Sequence, residues 1–157
     1  MHIQFWSVGK NHDQYVAEGI SDFTKRTNNY FNTSWKIIPP PKNASSFIEA
    51  DQKKKEAELI LKQLDAPDYL VALDERGKSF TSNQLSSFIQ DRANDSTRQL
   101  IFLIGGAFGL DSAVLKRANF TWSLSALTFP HQLVRLILAE QVYRACTILR
   151  NEKYHHG

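Results

Sequence analysis

Two hydrophobic periods take turns along this chain. Short apolar runs rich in branched and aromatic residues read as strands, and longer stretches with apolar residues three and four apart read as helices. Ile3 to Val8 is the first strand, ended by Gly9. Asp13 to Phe31 follows as a helix with Val16, Ile20, Phe23 and Tyr30 on one face. Trp35 to Ile38 is a short strand, stopped by Pro39-Pro40-Pro41 and a stiff linker. Ser45 or Ser46 suits the cap of a helix reaching about Leu64, with Ala57, Ile60, Leu61 and Leu64 inward. Tyr69 to Leu73 is a strand ending at Asp74, and Glu75 to Lys78 reads as a turn. Thr81 and Gln84 have capping-box spacing ahead of a helix whose inner face is Leu85, Phe88 and Ile89.

The stretch from Leu100 to Arg144 is the most informative. Leu100 to Ile104 is apolar without interruption, as in a strand buried on both faces. Gly105-Gly106-Ala107-Phe108-Gly109 then allows close backbone approach to a ligand. Asp111 to Ala118 is a short helix, Trp122 to Ser125 a short strand, and Ala126 to Phe129 a loop. Pro130 opens a long helix to about Arg150. Alternating strands and helices predict an α/β fold: a mainly parallel sheet with helices on both faces. Two ligand-sized loops then leave two strands at the same end of the sheet, where such folds bind small molecules. The last helix is apolar on two sides: Val134, Leu138, Val142, Ala145 and Leu149 on one, Leu133, Leu136, Ile137 and Tyr143 largely on the other. One side is expected to cover the sheet and the other to meet a second copy of the chain.

Composition narrows the classes. The 157 residues suit one domain, 1–157, without internal repeat or linker. No apolar run spans a bilayer and no basic region precedes an apolar one at the start, so no membrane role and a cytoplasmic location are expected. A single cysteine, Cys146, excludes an internal disulfide and a Cys-cluster metal site and reads as core. The formal charge of +3 is a mild lean toward polyanions.

Several of these residues resemble a known family. Leu103 to Gly109, Ser123 to His131, Leu133-Val134-Arg135, Glu140 to Arg144, the terminal Tyr154-His155 and Leu73 to Lys78 are similar, in order and over nearly the whole chain, to the SPOUT-class RlmH methyltransferases. The glycine loop departs from many members, which carry proline and an acidic residue where this chain has Ala107 and Phe108. The resemblance implies transfer of a methyl group from S-adenosylmethionine to N3 of a pseudouridine in 23S rRNA, with no metal. It also implies a SPOUT (α/β-knot) fold with a C-terminal trefoil knot, and a homodimer. It assigns the cofactor site to Leu73, Gly105, Leu124, Ser125, Ala126, Leu127, Thr128 and Phe129, and the catalytic role to Arg144, Tyr154 and His155. The mild charge points to rRNA within the assembled large subunit or whole ribosome as the partner, rather than naked RNA.

Each assignment has a plainer competitor in the residues themselves. The Gly105-Gly106 pair also fits an ordinary strand-to-helix turn. Arg144 is placed for an i,i+4 ion pair with Glu140, worth about 0.3–0.5 kcal/mol on a solvated face. Tyr154 and His155 lie where chains fray, or stack on a flipped-out base. His131 at a helix start suits a structural role ahead of a catalytic one, and Lys53-Lys54-Lys55 a solvated face ahead of contact with rRNA phosphate. Two other functions compete: a ribosome-binding protein of the same fold without catalysis, and a nicotinamide- or flavin-dependent enzyme. The second lacks a G-x-G-x-x-G after the first strand, where Gly9 stands alone.

Overall fold

In the computed structural model, which describes all residues from Met1 to Gly157, strands and helices alternate as β1 (His2–Val8), α1 (Gln14–Thr27), β2 (Asn32–Ile38), α2 (Glu49–Lys62), β3 (Tyr69–Lys78), α3 (Ser82–Asn94), β4 (Gln99–Ile104), α4 (Ser112–Arg117), β5 (Phe120–Trp122) and α5 (His131–Leu149). The strands form one sheet in the order β2-β1-β4-β3-β5, and every pairing is parallel. All strand C-termini therefore lie at one end.

Side-chain alternation divides the central strands between two cores. Ile3 and Phe5 of β1, Val71 of β3, and Leu100, Phe102 and Ile104 of β4 pack with Leu85 and Ile89 of α3 and Leu138, Val142 and Ala145 of α5. Trp6, Val8, Leu70, Ala72, Ile101 and Leu103 face the other way, onto Ala57 and Ile60 of α2 and Val114 of α4. The uninterrupted apolar run of β4 follows from this two-sided burial.

Five boundaries differ from the sequence reading. Strand β2 starts at Asn32 rather than Trp35. Helix α1 ends at Thr27, because Thr24 and Thr27 hydroxyls bond back to Ile20 and Phe23 carbonyls, and the Asn28 amide side chain bonds Thr24 and Thr33 carbonyls. Helix α2 starts at Glu49, not at the serines. Residues Ala44–Ser46 form a 3-10 turn behind a left-handed Asn43 (φ 59°), and Ile48 is the extended residue before the helix. Strand β5 is Phe120–Trp122 rather than Trp122–Ser125. After Ser123, whose N–H bonds the Lys78 carbonyl at 2.8 Å, the Ser125 hydroxyl accepts from the Leu127 N–H and turns the chain away from the ladder. Glu75 to Lys78 is not a turn but the end of β3. A bulge lifts the segment between Leu73 and Lys78 off β5, and the two strands pair again at Lys78 and Trp122. A Cβ on Gly77 would collide with the Thr121 carbonyl, so the close approach needs glycine.

The Thr81–Gln84 capping box forms as read, with both reciprocal bonds present. Helix α5 lies on the sheet between α1 and α3. Part of its second apolar side is covered by its own chain. Leu136 meets α1 at Gly19, and Tyr143 packs on Phe23, with ring centroids 5.8 Å apart. No helix is long and apolar enough to cross a membrane.

Candidate functional site

Five segments converge beyond the strand C-termini and enclose a cleft of about 640 Å³, within the range of small-molecule sites. The β3 bulge contributes Leu73, Asp74, Glu75 and Arg76, and the glycine loop contributes Gly105 to Leu110. The β5–α5 loop contributes Ser123, Leu124, Ser125, Leu127, Thr128 and Phe129. His131 and Val134 of α5 and Lys53 of α2 complete the wall. Seven of the eight residues assigned to the cofactor thus stand around one cavity, while Ala126 lies in the same loop outside the lining. Of the lysine run, Lys53 turns into the cleft and Lys54 and Lys55 are solvent-exposed.

The wall combines main chain, apolar side chains and a few charges. Leu127 is 72% exposed and Phe108 43%, two apolar side chains at the mouth. Arg76 clasps the Asp74 carboxylate through Nε and Nη2 at 2.7 and 2.9 Å, which holds that carboxyl below its ordinary range. Gly105 has no room for a side chain, because a Cβ there would stand 2.9 Å from Leu110 and 3.0 Å from the Gly109 carbonyl carbon.

Two side chains hold this loop, His131, which the sequence marked only as a helix-start histidine, and Glu56, which it did not mark. His131 Nε2 lies 2.8 Å from the Gly105 carbonyl, which can only accept, so the ring nitrogen is the donor. Burial first, and then the neighbouring Arg135 cation, push the His131 pKa down and keep the ring neutral near pH 7. Glu56 of α2, 4% exposed, accepts from Gln52 at 3.2 Å and packs its carboxylate against Gly106; burial raises its pKa, and Gln52 and the Gly106 backbone partly offset that.

Behind His131, the first turns of α5 also grip the β1–α1 loop. Gln132 Oε1 accepts from the Asp13 N–H at 2.9 Å. Arg135 is fully buried and gives Nη1 to His12 Nδ1 at 3.1 Å, while its Nε and Nη2 have no partner. Arg135 also contributes to lowering the His12 pKa, after burial.

The residues assigned to catalysis gather elsewhere, around the far end of α5. The Arg144 guanidinium bonds Glu140 through Nε and Nη2 and His155 Nδ1 through Nη1 at 3.1 Å. It also lies over the Tyr154 ring, 4.8 Å from its centroid. Tyr154 donates its hydroxyl to Glu140 Oε1 at 3.2 Å and packs edge-on against Tyr143 at 4.8 Å. The expected Glu140–Arg144 pair is therefore present, but half-buried and built into a larger cluster. The tail is not frayed. Tyr154 and His155 are half-buried, and Glu152 accepts from the Tyr30 hydroxyl at 2.7 Å. None of Arg144, Tyr154 and His155 lines the cleft. Arg144 stands thirteen residues after His131 on one helix, roughly 20 Å along its axis. Cys146 is core, its thiol pushed up to about 12 by burial. No group of three or more His, Cys, Asp or Glu side chains is placed to hold a metal ion.

A family model described as "Predicted SPOUT methyltransferase" matches residues 1–155. A protein of Cytophaga hutchinsonii named ribosomal RNA large subunit methyltransferase H is 47% identical over 157 residues, covering 99% of this chain and 100% of the relative. Its namesake in Parabacteroides distasonis is 46% identical, with 99% of each chain covered. Another, in Symbiobacterium thermophilum, is 42% identical, again with 99% of each covered. Among solved structures, the tRNA (m1G37) methyltransferase of Aquifex aeolicus matches with a TM-score of 0.55 at 11% identity, covering all of this chain and 76% of that one, a likeness of fold.

Proposed function

The chain belongs to the SPOUT methyltransferase family, and from that premise we propose that it methylates N3 of a pseudouridine in 23S rRNA, using S-adenosylmethionine, as a homodimer acting on the assembled large subunit or ribosome in the cytoplasm. Residues 1–157 act as a single domain, with the C-terminal half tied in the trefoil knot that the resemblance implies.

The cleft suits the methyl donor. Leu73, Leu124, Leu127 and Phe129 offer apolar surface to a purine, main-chain groups of two loops can read its edge, and Asp74 and Glu75 lie beside what would be a cationic ligand. When bound, the donor would supply an electrophilic methyl carried on a sulfonium, and the N3 proton would pass to water. Catalysis then rests on alignment and on charge stabilisation at the carbonyl oxygens flanking N3. Arg144 and His155 supply donors for that charge. Because Arg144 only donates, His155 Nδ1 accepts from it, and the neutral imidazole keeps its proton on Nε2, a second donor. Tyr154 offers a ring for stacking on the unpaired base, worth roughly 1–3 kcal/mol.

One observation carries the reading of the assembly: within a chain, the cleft and the Arg144 cluster stand at opposite ends of α5, roughly 20 Å apart. That is too far to act on one methyl group. A second copy, its tail laid against the first copy's cleft, completes the site. The partly covered Leu133, Ile137 and Ile148 of α5 are available to that contact. The decisive test is mass mapping of 23S rRNA from cells with and without the protein, followed by methylation of the unmodified subunits with the purified dimer. A single methylated pseudouridine that disappears with the protein is expected. Unchanged rRNA would refute the assignment.

A further inference from the structure

The Gly105–Gly106 peptide is held at both ends by side chains from opposite faces of the sheet. Its carbonyl accepts from His131 at the start of α5, and the Glu56 carboxylate of α2 stands against its Gly106 end, where the Gly106 backbone helps to lower the carboxyl's pKa. Both side chains are substantially withdrawn from water, and both reach the peptide closely. A Cβ on Gly106 would stand 2.6 Å from Glu56 Oε1. The next link of the loop is internal: the Gly106 carbonyl accepts from Gly109 N–H at 3.1 Å. A glycine–glycine peptide has little steric resistance to rotation. Without these partners, the plane that turns the chain from β4 into the cleft wall would be free to flip, and burial would leave a donor and an acceptor unpaired.

We propose that His131 and Glu56 are positioning residues that clamp this one peptide and thereby pre-form the cofactor wall. Neither touches the reacting atoms in this role; each acts through the glycine loop. The inference rests on the reading of the cleft as the S-adenosylmethionine site. It assigns work to a residue at the end of the Ser123 to His131 motif, given no binding role there, and to Glu56, which lies in no motif. It also makes a demand that independent packing roles would not: the two act on the same bond, so their losses are not additive. Once one end is released the peptide moves, and the second partner has nothing left to hold.

Calorimetric binding of S-adenosylmethionine tests this with paired variants. Gln places an N–H near the position of His Nε2, whereas Asn is a methylene shorter. His131→Gln should therefore bind within a few-fold of wild type, and His131→Asn, equally polar, should lose roughly tenfold, the scale of one buried hydrogen bond. Glu56→Gln keeps an acceptor and should retain affinity, while Glu56→Leu should lose a similar factor. The double variant His131→Asn/Glu56→Leu should bind no more weakly than about the worse single. Equal affinity for the Asn and Gln variants of His131, or full additivity in the double, would overturn the clamp while leaving the cofactor reading intact. Absence of binding by wild type would overturn both.

Discussion

At its first residues α5 works among main-chain atoms. His131 holds a glycine carbonyl, Gln132 a loop N–H, and the cleft beyond them is walled by loops from several strands. At its last turns the same helix works among side chains. Arg144, Glu140, Tyr143, Tyr154 and His155 bond and stack on one another, outside the lining of the cleft. The first arrangement accepts a ligand of defined shape, because backbone and glycine leave space and fixed polar edges. The second presents charge and an aromatic ring to something that comes from outside. On the function proposed above methyl transfer draws on both, and one chain holds them apart.

The largest effect should come from removing the second region alone. Deleting Glu152 to Gly157 should abolish methylation of ribosomal subunits while leaving S-adenosylmethionine affinity at the wild-type value. Arg144→Ala should lower turnover by roughly a hundredfold or more, as for loss of a donor to developing charge, with affinity again unchanged. Gly105→Val breaks the first region instead. Its side chain would press on Leu110 and Gly109, so calorimetry should show no cofactor binding. A mixed dimer of a Gly105→Val chain and a tailless chain sharpens the comparison. One intact loop and one intact tail lie on different subunits, so some activity should return. An inactive mixed dimer of folded chains would place each site within one subunit.

Tyr143→Glu probes the ground between the regions. Tyr143 reads in sequence as dimer surface, but it is packed within its own chain against Phe23, Tyr30 and Tyr154. The carboxylate should cost about 3–5 kcal/mol of folding stability, as an unpaired buried charge does, so denaturant titration should show an unstable monomer rather than a clean split of the dimer. A smaller effect concerns pH. His12 and His131 both have lowered pKa values, so the unfolded chain binds more protons than the folded one as pH falls below about 6.5, and stability declines with acidification. Glu56, whose pKa is raised, works in the opposite sense. His131→Gln should flatten the decline that sets in as pH falls below about 6.5. The smallest effect is Thr81→Ala, far from either region, which should cost about 1 kcal/mol and leave binding and turnover alone.

What could be read from residues followed the range of the interactions. The capping box was legible because its partners are three residues apart, and β4 because two-sided burial writes itself into every position. The loops that wall the cleft were legible from glycine content and order. The bulge after Leu73 was not, since Gly77 and its charged neighbours spell a turn unless β5 is already alongside. The two-sided character of α5 was plain, but periodicity cannot say whose surface covers a face, and α1 covers part of it. Glu56 and His131 were invisible as a pair, because they meet through a peptide distant from both in sequence.

The uninterrupted course of α5 from His131 to Leu149 restricts how this gene can drift. Substitutions along the helix alter single contacts. One inserted or deleted codon between the two ends would turn the Arg144 cluster by about 100° and shift it by about 1.5 Å relative to the cleft. No local repacking restores both phase and spacing at once. Length variation in functional descendants should therefore collect in the connections between β2 and α2 and between α2 and β3, away from the cleft loops, and the interval from Pro130 to Arg144 should keep a constant count of residues even where few of them stay the same.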